Sequence, residues 1–95
     1  MVEILITFNT TTATLKGQKI LSLRKGELDS EIEQDVIAVP YVLSETCYGL
    51  GLAIKVENMD TVKQIFKIFK EEEIDFKRFW ELCVGTYTDI TNKFE

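Results

Sequence analysis

Cys47 is the residue of this sequence whose side-chain type and sequence position are suited to nucleophilic chemistry. It is the only strongly nucleophilic side chain beside a predicted turn, because residues 39–56 read as two extended runs separated by the polar residues 44–46. A deprotonated thiol attacks electrophilic sulfur and is the reactive form of cysteine. The sequence contains no histidine, which removes the commonest general base and the commonest zinc ligand. A cysteine near the start of a strand is also frequently a small buried hydrophobe, so both roles stay open for Cys47.

The other candidate sites carry weaker signals. Cys83 sits inside residues 76–84, where Trp80, Leu82 and Val84 alternate with polar residues, and this setting predicts a structural thiol. The two cysteines do not form a C-x-x-C motif, so we expect no redox pair. Residues 27–35 have an acid at every odd position but lack the spacing of a calcium loop, which predicts a solvated extended connector. We predict no metal and no cofactor.

Length and composition indicate one globular domain. The 95 residues are 45% hydrophobic, with 16 acidic against 11 basic side chains and a net charge of −5. This balance argues against a protein that binds the phosphate backbone of a nucleic acid. No apolar run reaches the ~18–20 residues of a membrane span, and the start lacks the features of a signal peptide. With two cysteines and no disulfide framework, we expect a cytoplasmic protein of residues 1–95 that does not contact a membrane.

Hydrophobic periodicity predicts six elements in the core, residues 2–84. They are a strand over residues 2–8, a helix over 11–25, strands over 36–43 and 50–57, a helix from Asn58 or Asp60 to about 73, and a strand over 76–84. This order favours an α+β, ferredoxin-like βαββαβ fold with a four-stranded antiparallel sheet and two helices on one face. The first and third strands would be central, and Pro40 would place the second at an edge. The polar tail, residues 85–95, is expected to be loosely held or used in self-association.

This topology places the Cys47 turn at the end of the sheet where the first helix begins. The first and second strands both run towards that end, so the turn would lie near the backbone amides of Thr10, Thr11 and Thr12. A helix N-terminus carries roughly half a positive charge, which favours a thiolate beside it.

Three parts of the chain resemble the putative selenium/sulfur carrier-protein-like family of small bacterial domains: residues 7–21, residues 39–53, and the predicted second helix with the isoleucine-rich connection after it. Residues 7–21 (TFNTTTATLKGQKIL) are similar to a strand ending in Thr-Phe, a Ser/Thr-rich cap and a helix with a late basic residue. Residues 39–53 (VPYVLSETCYGLGLA) resemble Val-Pro, Ser-x-x-Cys-Gly and a small, apolar strand, and the similarity covers roughly residues 4–82. It implies a turn cysteine that holds sulfur or selenium, and points to Ser44, Cys47 and Gly49. Tyr48 separates Cys47 from Gly49, where the family usually has Cys-Gly directly.

Two functions of different classes remain as alternatives. The first is a sulfur or selenium carrier or accessory protein, not a turnover enzyme, that exchanges its cargo with donor and acceptor proteins. In it Cys47 would accept the cargo, the amides of Thr11 and Thr12 would stabilise the anionic sulfur, and Ser44 would donate a hydrogen bond. The second is a non-catalytic ferredoxin-like interaction or ligand-sensing module with a structural cysteine. It would form a homodimer through its sheet face or through Leu15 and Leu23.

Overall fold

The computed structural model describes residues 2–29, 31–40 and 49–94 of the chain. The elements in chain order are β1 (Val2–Phe8), α1 (Thr11–Arg24), β2 (Glu33–Ala38), β3 (Leu50–Val56), α2 (Met59–Glu71), β4 (Phe76–Cys83) and β5 (Thr86–Asp89). Single 3-10 turns follow α1 at Lys25–Glu27 and β5 at Thr91–Lys93. No helix within the described ranges has the length and apolar character to span a membrane.

The described strands form one antiparallel sheet in the order β2-β3-β1-β4-β5. The central placement of β1 and β3 and the edge position of β2 were predicted correctly. β2 begins three residues earlier than the predicted strand over 36–43 and ends at Ala38, so Pro40 lies two residues beyond it and donates to no ladder. The fold is α+β and broadly ferredoxin-like, with five strands in place of the predicted four.

Both helices cover the same face of this sheet. Strand residues alternate between the two faces, and Ile4, Ile6 and Phe8 of β1 join one buried cluster with side chains from α1 and α2. On α2, the predicted apolar stripe is buried; it consists of Val62, Ile65, Phe66 and Phe69. On α1, a Cβ at Gly17 would lie 3.1 Å from the Phe8 ring and 3.2 Å from Phe69. Gly17 therefore allows this helix to pack closely on the core.

The C-terminal tail is part of the fold, and the prediction that it is loosely held was wrong. Its residues Thr86–Asp89 form β5, which pairs with β4 along the edge that would otherwise be open. Ile90 is only 1% exposed and belongs to the core. The Phe79 amide donates a hydrogen bond to Thr91 Oγ1 at 2.9 Å. The segment has no long apolar run, so the local pattern carried no strong strand signal.

Strand pairing shows which residue of β4 enters the core, and the start of β2 corrects the expectation of an acidic connector. In β4 the core residue is Phe79, which pairs with Ile6, whereas Trp80 pairs with Leu5 on the opposite face. A register shift next to Thr7 interrupts the pairing of β1 with β4, and periodicity in β4 alone cannot reveal such a shift. The acidic segment is not wholly a connector, because its last three residues, 33–35, begin β2.

Candidate functional site

The predicted site residues fall on both sides of the described boundary. Ser44 and Cys47 lie outside the described residues, so their roles stay predictions. Thr10, Thr11, Thr12 and Gly49 are described.

The N-terminus of α1 is capped by Thr10. This residue is extended (φ −141°, ψ 157°), and its Oγ1 accepts a hydrogen bond from the Ala13 amide at 3.0 Å. Such a cap satisfies one of the amides that a helix start leaves without a partner. Thr11 and Thr12 are exposed in the first turn, and their amides donate to no acceptor within the described part of the chain. The first turn contains no acidic residue, so no carboxylate there offsets the positive end of the helix dipole.

The start of β3 is held against this first turn by Thr14. The Thr14 side chain is fully buried, and its hydroxyl lies 2.9 Å from the Leu50 carbonyl oxygen and 3.2 Å from the Thr10 carbonyl oxygen. One hydroxyl donates one hydrogen bond at a time, and the shorter contact links α1 to β3. The Val39 amide donates to the Gly49 carbonyl oxygen at 3.0 Å. Residues 39 and 49 are therefore paired beside the N-terminal end of α1.

Thr14 and Gly51 position this region, and neither role was predicted from the sequence. A Cβ at Gly51 would lie 3.0 Å from the Ile6 carbonyl oxygen and 3.0 Å from Leu5 Cδ1. A glycine at this position therefore allows β3 to approach β1 closely. Gly49 differs, because a Cβ there would meet no atom of the described residues within 4 Å. In the sequence, these two positions are visible only as a threonine inside a predicted helix and a glycine inside a predicted strand. Neither feature identifies the residue that Thr14 or Gly51 contacts.

The remaining described candidates are Cys83 and the acidic side chains. Cys83 is exposed at the end of β4, so the expectation that it packs inside the sheet was wrong; the core position of this strand belongs to Phe79. Leu82 and Cys83 of β4 lie at the end of the sheet where β1 begins, opposite the start of α1. Across the described ranges, no three Cys, Asp or Glu side chains are grouped closely enough to hold a metal ion.

One known protein family matches most of the chain. A family model described as putative Se/S carrier protein-like matches residues 3–81. The chain belongs to this family. No curated protein and no solved structure gives a significant match. The part of this Se/S carrier-like protein that matches the family model runs from β1 into β4, so β5 and the buried Ile90 lie beyond it.

Proposed function

We propose that this protein is a sulfur or selenium carrier or accessory protein in which Cys47 holds the cargo. The observation that carries the proposal is the Thr14–Leu50 hydrogen bond, which holds the chain just after Cys47 against the first turn of α1. Two peptide units separate Cys47 from Gly49, so their Cα atoms can be no more than about 7 Å apart. Family membership supports the same chemistry.

The proposed step is a thiol–persulfide exchange. The Cys47 thiolate attacks the terminal sulfur of a donor persulfide, R–S–SH, and forms a new S–S bond as the donor S–S bond breaks. The donor leaves as the thiolate R–S⁻, and Cys47 becomes Cys–S–SH, with no net oxidation. A selenosulfide forms in the same way from R–S–SeH. The amides of Thr11 and Thr12 would stabilise the anionic form of the cargo, and Ser44 would donate a further hydrogen bond.

A carrier suits this sequence better than a turnover enzyme. The sequence has no histidine, so a proton must go to solvent, to a carboxylate such as Glu45 or to a partner protein. A carrier needs only a stabilised sulfur atom and two partners, a donor and an acceptor.

The test is the pH dependence of alkylation at Cys47, with Cys47→Ser as the blank. Cys83 is exposed and serves as the internal control for accessibility to the reagent. We expect Cys47 to titrate below the usual ~8.5 and to react faster than Cys83. Mass spectrometry after treatment with a small persulfide should then show one added sulfur, which Cys47→Ser abolishes and Cys83→Ser retains. Equal reactivity of the two thiols, or loading on Cys83, would contradict the proposal.

The alternative function, an interaction module, has one specific observation in its favour. Leu15 and Leu23 on α1 are 49% and 70% exposed. If they form a homodimer contact, Leu15→Ser and Leu23→Ser should each lower the association constant measured by sedimentation. A protein that sediments as a monomer at all concentrations would exclude the homodimer, leaving only a monomeric interaction or ligand-sensing module.

A further inference from the structure

Two neighbouring rows of side chains run across the strands on the face of the sheet opposite the helices. Residues paired in register lie on the same face, so the pairings define each row. The first row consists of Glu33, Lys55, Glu3, Leu82 and Tyr87. The second consists of Asp35, Ala53, Leu5, Trp80 and Asp89. Glu3 lies near the start of β1 and Leu5 at its middle, and the adjacent row contains Ile37 and Gly51.

A groove of about 110 Å³ lies on this face. Ala53 and Leu5 both line it, and Leu5 points away from the helices but is only 2% exposed, so it presents almost no surface to the groove. The longer side chains of Ile37 and Leu82 flank them from β2 and β4. A small residue between larger ones leaves a depression with an apolar floor.

The groove carries an excess of negative charge. Glu3, Glu33 and Asp35 line it together with one cation, Lys55, which gives a formal charge of about −2 at neutral pH. In the described part of the chain, no ion pair joins Lys55 to any of these carboxylates. An apolar floor lowers the local dielectric constant and strengthens the attraction for a cation. Tyr87, also in the groove, offers an aromatic ring that favours a cation near its face.

We propose that this groove binds a small aliphatic ammonium compound. Its hydrocarbon tail would contact Ile37, Ala53 and Leu82, and its ammonium group would lie among the carboxylates of Glu3, Glu33 and Asp35. The volume is below the ~150 Å³ of a protein cavity that holds benzene, which suits a tail of about five carbons. Contacts of this size give millimolar dissociation constants. The inference does not depend on the function proposed for Cys47.

The test is an NMR titration of the ¹⁵N-labelled full chain with three compounds that share a five-carbon tail. They are pentylammonium, 1-pentanol and hexanoate, with charges of +1, 0 and −1 at neutral pH. We expect saturable shifts of the Ile37, Ala53 and Leu82 amides with pentylammonium, and at least tenfold weaker binding of hexanoate. Glu33→Gln and Asp35→Asn should each weaken pentylammonium binding about threefold or more. Glu57→Gln, an exposed carboxylate outside the groove, is the matched control and should leave the affinity unchanged.

Several results would overturn the proposal. They are equal binding of pentylammonium and 1-pentanol, shifts that map outside the groove, no saturable shift at all, and an affinity that Glu33→Gln and Asp35→Asn leave unchanged. Concentration-dependent shifts of the same amides without any compound would identify a second copy of the chain as the occupant, and would also overturn it. Thermal melts of each variant verify that the fold is retained.

Discussion

Replacing Thr14 by valine tests the contact that connects α1 to β3. Valine has nearly the shape of threonine, so the substitution removes the hydroxyl while the buried volume stays filled. A typical hydrogen bond contributes about 0.5–1.5 kcal/mol to stability, and a carbonyl left without a partner costs about 1–3 kcal/mol. Thr14 is fully buried and its hydroxyl lies 2.9 Å from the Leu50 oxygen. We therefore expect the free energy of unfolding to fall by about 1.5 kcal/mol, in the middle of these ranges.

The measurement is urea unfolding followed by the fluorescence of Trp80, the only tryptophan, together with thermal melts. For a domain of this size, a loss of about 1.5 kcal/mol lowers Tm by roughly 6–12 °C. Thr12→Val is the matched control, because it replaces threonine by valine at an exposed position of the same helix. The difference in helix propensity between threonine and valine is therefore present in both variants. If Thr14→Val is as stable as Thr12→Val, the hydrogen bond does not stabilise the junction and the reasoning is refuted. If the junction also positions Cys47, Thr14→Val should raise the pH at which Cys47 becomes reactive.

Three other predictions concern the C-terminal part of the fold. Ile90→Ala should lower the free energy of unfolding by about 2–5 kcal/mol, since Ile90 is 1% exposed. The control in urea unfolding is Thr88→Ala at an exposed position, and an equal loss of stability in the two variants would show that the tail is loosely held. Val84→Asn should raise the free energy of unfolding by about 1 kcal/mol. Val84 is 98% exposed and adopts φ 49° in the β4–β5 turn, a conformation in which asparagine is less strained than valine. A lower Tm for Val84→Asn would refute this. Partial burial acts to raise the pKa of Asp89, but hydrogen bonds from Thr91 and Arg78 outweigh it and hold that pKa below its ordinary value. This contribution to stability is present above the unfolded pKa of about 3.9 and is lost as pH falls through the folded pKa. Asp89→Asn should therefore show less loss of stability than the wild type when urea unfolding at pH 3 is compared with pH 7, and an unchanged loss would contradict the assignment.

Elements with strong local patterns could be predicted from the sequence. The predicted bounds of β1 agree with those observed, and the stripe of α2 is buried where the spacing of three and four placed it. These properties depend on residues close together in the chain, whose periodicity records which face meets the core. Pro40 indicated an edge strand or a bulge, and β2 is an edge strand, although it ends two residues before Pro40.

The candidate site could be predicted only in part. The polar residues at the start of α1 indicated a cap, and Thr10 is that cap. The contact of Thr14 with Leu50 joins residues 36 positions apart, and no local pattern in either segment specifies the other. The pairing of Glu3, Lys55 and Glu33 in one row also depends on the registers of three separate strands.

The sequence by itself determined the order of the first six elements, the family and the cysteine on which the proposed chemistry depends. It did so because propensity, periodicity and short motifs are local properties. The tertiary structure decided that the tail becomes β5, that Phe79 rather than Trp80 enters the core, and that a charged groove forms on the open face. Each of these outcomes depends on which strand supplies the neighbouring hydrogen bonds and in which register, and such pairing is a property of the folded chain as a whole.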